Sequence, residues 1–107
     1  MQRLVGKRVL MFVDDVYEDL ELWYPKLRLE EAGATVVVAG PEKGRRYSGK
    51  HGYPCVADAA ISGMDAADFD LLVIPGGFAP DRLRRDVKVL ELTRLMHESG
   101  ILFFVIW

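Results

Sequence analysis

The chain is 107 residues long, half of them hydrophobic and 28% charged, a composition that fills a core and excludes global disorder. Fourteen Lys and Arg against sixteen Asp and Glu leave a net charge of −2 with no basic block, so nucleic acid and anionic membranes have no electrostatic footprint. One cysteine excludes an intrachain disulfide framework and a Cys-rich zinc site. No apolar run is long enough to span a bilayer, and the opening residues carry no signal-peptide pattern, so the cytosol is the expected compartment.

Arg8 to Val13 is a continuous apolar run, the mark of a strand buried on both faces. Asp14-Asp15 closes it. Glu18 to Ala32 reads as a helix, with Leu20, Trp23, Tyr24 and Leu27 at the i, i+3, i+4, i+7 spacing of an apolar face. Pro25 cannot donate to the Glu21 carbonyl and is expected to kink it. Gly33 is a helix stop. Thr35 to Ala39 is a β-branched strand. Gly40 to Pro54, rich in Gly, Pro and charge, is a loop or excursion. Cys55 to Asp58 reads as a short strand and Ala59 to Ala67 as a weak helix, with Ser62-Gly63 against it. Asp70 to Ile74 is a further strand, and Pro75-Gly76-Gly77 breaks it. Asp86 is placed to N-cap a helix reaching about Glu98, with Val89, Leu92, Thr93 and Met96 on one face. Gly100 ends that helix and Ile101 to Ile106 is a last strand. Continuous apolar strands alternating with helices predict an α/β fold, a parallel sheet with helices on both faces. Ligand sites in such sheets lie at the carboxyl ends of the strands. Here those are Asp14 to Glu21 and Pro75 to Asp81.

Several patterns invite chemistry. Gly44 to Lys50 nearly spells a phosphate-binding loop, but His51 follows where Ser or Thr is needed, and Gly52 and Pro54 prevent the required helix. Asp14-Asp15 suggests the magnesium-holding acids of a phospho-receiver domain. The later strand ends in Pro75-Gly76-Gly77 rather than in an acceptor Asp, so ordinary helix-start chemistry is the plainer reading. Glu18 and Glu21, one turn apart, place two carboxylates on about one helix face. On the residues alone, favourable interaction of acids with the helix N-terminus is the plainer reading, against which the expected kink at Pro25 beside Glu21 counts. Gly76-Gly77 allows positive φ and close backbone approach, and exposed amides of such a turn can stabilise an oxyanion; a simple tight strand-to-helix turn is the other reading. Asp81 follows Pro80 at the start of a short helix, where an acid usually serves capping or the helix dipole. His51 and His97 lie in no metal-ligand spacing, and Cys55 reads as a buried, inert thiol.

Taken together, Glu18 to Pro25, Ala39 to Gly44, Gly49 to Pro54, Asp70 to Gly77 and Ala79 to Arg84 resemble the PfpI-like intracellular proteases, in the superfamily shared with class I glutamine amidotransferase domains. The resemblance implies a flavodoxin-like sandwich and a cysteine nucleophile on a strand-to-helix elbow. It implies peptidase or amidase activity, or glyoxalase III or deglycase activity on small carbonyl compounds, without a cofactor and in a homo-oligomer. It assigns Glu21 as the carboxyl that hydrogen-bonds the nucleophile, with Glu18 close by, and the Gly76 and Gly77 backbones as the oxyanion site. Asp81 takes the place of a family Glu that completes a neighbouring subunit's triad, one methylene shorter. Phe78 stands where relatives often carry Arg. After Gly100 such proteins continue toward an Ile-Cys-His-Gly motif, whereas this chain reads Ile101 to Trp107. The expectation is therefore an incomplete domain that lacks its nucleophile and is inactive as it stands. The alternative is a non-catalytic interaction module pairing through the strand Ile101 to Ile106, with a receiver-like module behind it.

Overall fold

The computed structural model describes residues 3–77 and 79–105. Five parallel strands form one sheet in the order β5-β2-β1-β6-β7. Its members are β1 (Arg8–Phe12), β2 (Thr35–Gly40), β5 (Ala59–Ala60), β6 (Leu71–Ile74) and β7 (Leu102–Val105). The central strand is β1, in register with β2 through Val9–Val36 and with β6 through Val9–Leu71. Val9, Leu10, Met11 and Phe12 are all buried, as a strand covered on both faces requires. Ile106 and Trp107 lie outside the described residues, so the last strand is described as far as Val105.

Helix α1 (Asp19–Glu31) connects β1 to β2, and α3 (Val87–Glu98) connects β6 to β7 in the opposite direction across the sheet. Right-handed crossovers running in opposite directions put the two helices on opposite faces. Between β6 and α3 lies the short helix α2 (Ala79–Leu83). As expected, Asp86 caps α3, its carboxylate accepting from Lys88 N at 2.8 Å, and Val89, Leu92 and Met96 face the core. Gly33 takes φ +98°, the left-handed stop that follows α1.

Three local expectations are corrected. The proposed helix over Ala59 to Ala67 is instead β5 followed by two 3-10 turns, Ile61–Gly63 and Ala66–Asp68. Ala59 and Ala60 pair with Ala39 and Gly40, and Asp65 caps the second turn, so ladder and turn bonds outcompete a weak helix broken by Ser62-Gly63. The excursion after β2 folds into a separate antiparallel hairpin, β3 (Arg46–Ser48) and β4 (Pro54–Val56). It occupies the residues of the phosphate-loop near-match, and β4 replaces the short strand read over Cys55 to Asp58. The row Leu20, Tyr24 and Leu27 does not face the core but is 74%, 69% and 57% exposed. Helix α1 turns Asp19 and Leu22 inward instead, with Trp23 and Leu29 partly buried beside them. It runs on through Pro25.

Candidate active site

Strand order reverses between β1 and β6, and their carboxyl ends form the crevice where α/β sheets take ligands. The loop after β1 is held there from two sides. On one side Val16 N donates to Ser48 O (2.8 Å) and Lys50 N to Tyr17 O (2.7 Å). On the other, Glu18 N donates to Gly76 O (3.0 Å). Gly77, at φ +88°, sits so close that an added Cβ would lie 2.7 Å from Glu18 N and 2.8 Å from Val16 O. Only glycine fits such an approach. Val16 itself takes φ +62°, a strained conformation for a β-branched residue.

Glu21 reaches across this junction. Its Oε1 accepts from Gly76 N at 3.0 Å, joining the first turn of α1 to the turn after β6. Gly76 is buried and Gly77 exposed. Glu18 is the N-cap residue of α1 but turns the other way: Oε1 lies 3.5 Å from His51 Nε2 and Oε2 3.9 Å from Lys50 Nζ. The two carboxylates thus share the helix start but have different partners. Glu18, Glu21, Gly76 and Gly77 are brought together. Asp81 stands on α2, paired with Arg84 (2.7 Å) and Arg85 (3.3 Å). Phe78 lies outside the described residues.

Asp14 and Asp15 are not helix-start residues, because α1 begins at Asp19. Asp14 Oδ1 accepts from Asp15 N and lies 3.4 Å from Arg82 Nε, while Asp15 accepts from Ser48 N. They brace loops. Cys55 is buried, and burial pushes its thiol up to about 11, as expected of an inert cysteine.

Sequence reasoning missed Asp19. This carboxylate is buried and accepts from His51 N and Tyr53 N, each at 2.9 Å, fastening the hairpin tip to α1. Burial pushes its pKa up, but the backbone hydrogen bonds outweigh that and hold it below the ordinary value. A Cβ on Gly49 would overlap the Asp19 carboxylate. An acid three residues before the apolar Leu22 was the available signal, since a helix turns i and i+3 to the same side. Beside it Tyr17 donates its hydroxyl to Tyr53 O and accepts from Trp23 Nε1 (3.1 Å), and burial pushes its pKa up to about 12.

Among the described residues no helix is long and apolar enough to cross a membrane. The chain is 43% identical over 95 residues to the "Putative cysteine protease YraA" of Bacillus subtilis, covering 89% of this chain and 56% of that protein. It is 41% identical over 93 residues to Deglycase PfpI of Pyrococcus furiosus, covering 87% and 55%. The chain thus spans about half the length of these curated relatives. Among solved structures it resembles a two-domain protein of Anabaena variabilis with DJ-1/ThiJ/PfpI-like and ferritin-like domains, at TM-score 0.90 and 35% identity, covering 94% of this chain and 29% of that one. Toxoplasma gondii DJ-1 matches at TM-score 0.86 and 28% identity, covering 94% and 55%. The flavodoxin-like arrangement is therefore that of these proteins. The model of the DJ-1/PfpI family matches residues 7–106, and the chain belongs to that family.

Proposed function

We propose that this chain supplies the carboxylate and oxyanion side of a cysteine-dependent deglycase or hydrolase acting on small carbonyl compounds or peptides. The observation that carries the reading is the Glu21–Gly76 hydrogen bond at the crevice between β1 and β6. In such chemistry a thiolate attacks a carbonyl carbon and an oxyanion develops. Glu21, fixed by Gly76 N–H, is assigned to hold the thiol and move its proton. Because Gly76 N–H is engaged by Glu21, the exposed Gly77 is assigned as the oxyanion donor. Glu18 supports the helix start, and Asp81 is assigned to a neighbouring subunit's triad. Cys55 is not the nucleophile, since it is buried on the β3–β4 hairpin with a raised pKa. On this reading the thiol is not among residues 1–107, and the reaction needs no cofactor.

Two assays test this. The 107-residue chain is expected to show no turnover of methylglyoxal adducts or peptides; robust turnover would refute the assignment of the missing thiol. Replacing the aligned segment of the Bacillus subtilis relative with this chain is expected to restore turnover that falls at least tenfold in Glu21→Ala. A fully active Glu21→Ala hybrid would refute the role of Glu21.

A second reading, association between copies, is favoured by the exposed row Leu20, Tyr24 and Leu27, of which Leu20 and Leu27 line one shallow apolar hollow with the exposed Tyr53. Sedimentation velocity is expected to give a dimer or larger species that Leu20→Glu with Leu27→Glu dissociates; a monomer at all concentrations would rule it out.

A further inference from the structure

Sequence spacing places neither histidine in a metal-ligand pattern, yet the fold carries His51 across 32 positions to the start of α1. Among the described residues, Glu18, Asp19 and His51 each offer one ligand atom, and these atoms lie within 4.8 Å of one another. We propose that they form a binding site for a borderline divalent cation of the zinc class, separate from the Glu21–Gly76 junction and independent of the catalytic reading.

The donor set carries the choice of cation. One imidazole nitrogen and two carboxylate oxygens suit zinc, cobalt or nickel, whereas calcium and magnesium take oxygen ligands. The separations fit as well. His51 Nε2 and Glu18 Oε1 are 3.5 Å apart, against about 3.4 Å between two ligands on a tetrahedral zinc at about 2.1 Å. The three ligand atoms lie within 4.8 Å of one another, and the His51 side chain, 69% exposed, is free of packing that would stop it adjusting to a cation.

The support is already built. Asp19 Oδ1 accepts from His51 N and Oδ2 from Tyr53 N, which fixes the carboxylate. The same bond ties the His51 backbone to the acid it would share a cation with. Gly49 has no Cβ to intrude on that carboxylate. The cluster already draws one cation: Lys50 Nζ stands 3.9 Å from Glu18 Oε2. Two carboxylates against one ammonium leave a net negative site, more than offsetting the partial positive charge of the α1 N-terminus. A divalent ion would displace Lys50 into solvent, where its side chain is already 49% exposed.

The test uses the tag-free 107-residue chain titrated with Co²⁺, read by visible absorption and by histidine NMR, with Zn²⁺ as competitor. The expected result is saturable binding of one Co²⁺ per chain, displaced by Zn²⁺, with the His51 ring signals broadened. His51→Ala leaves the backbone bond to Asp19 intact and so keeps the fold, checked by circular dichroism. It and Glu18→Gln are each expected to weaken binding at least tenfold. Lys50→Met, which removes the competing ammonium, is expected to tighten it several-fold. No saturable binding, or Co²⁺ affinity unchanged in folded His51→Ala, would overturn the proposal.

Discussion

Asp19 offers the sharpest test of how this fold is held. Its buried carboxylate receives two backbone N–H groups across more than 30 residues of sequence. Hydrogen bonds to a charged group are each worth about 1.5–3 kcal/mol net, so the pair sums to about 3–6 kcal/mol. His51 and Tyr53 are exposed, so water reaches their amides once the carboxylate is gone, and roughly half of that sum is recovered. Asp19→Ala should therefore cost about 1.5–3 kcal/mol at neutral pH, about 6–24 °C in Tm for a domain this size. Urea unfolding followed by Trp23 fluorescence measures it well, because Trp23 packs edge-on against Tyr53 at 5.3 Å between ring centroids. The pH dependence adds an independent check. The folded pKa of Asp19 is depressed, so its contribution is present above the unfolded value of about 4 and is lost as pH falls through the folded pKa. The gap between native chain and variant should be full at pH 7 and shrink below pH 4. A cost under about 1 kcal/mol, or a gap that does not close in acid, would refute the argument. Gly49→Ala should be destabilising for the same reason, since its Cβ and the carboxylate compete for one place.

Tyr17 gives the opposite sign. Its folded pKa is raised to about 12 from 10.0, so its contribution is present below pH 10 and is lost as pH rises toward 12. Tyr17→Phe should flatten that alkaline decline in stability. Cys55 should resist a thiol reagent in the native chain and react stoichiometrically in denaturant; fast labelling of the folded chain would contradict its burial. Val16→Gly relieves about 1–2 kcal/mol of left-handed strain and loses about 0.5–1 kcal/mol to unfolded-chain entropy. It should leave the chain equally stable or about 1 kcal/mol more stable, and clear destabilisation in a thermal melt would show that the Val16 side chain contributes packing instead.

The main strands, the capped helix α3 and the breaks at Gly33 and Pro75-Gly76-Gly77 were legible without a structure. Their signals are local: unbroken apolar runs, a carboxylate two residues before an amide it caps, glycines where φ must be positive. The carboxyl-end rule then placed Glu18, Glu21, Gly76 and Gly77 in one crevice. The inward face of α1 was not legible, because two apolar rows compete along the same helix. Of the expected row Leu20, Trp23, Tyr24 and Leu27, Trp23 alone is partly buried, while the helix turns in Leu22 and Asp19, whose carboxylate meets two amides of a distant hairpin. Nor did spacing reveal that Glu21 holds Gly76, 55 positions away, or that His51 stands beside Glu18 and Asp19. Periodicity records which side of an element is dry. Which polar atoms meet across the crevice is settled only when β1, β6 and the β3–β4 hairpin are packed together, since those partners share no local pattern.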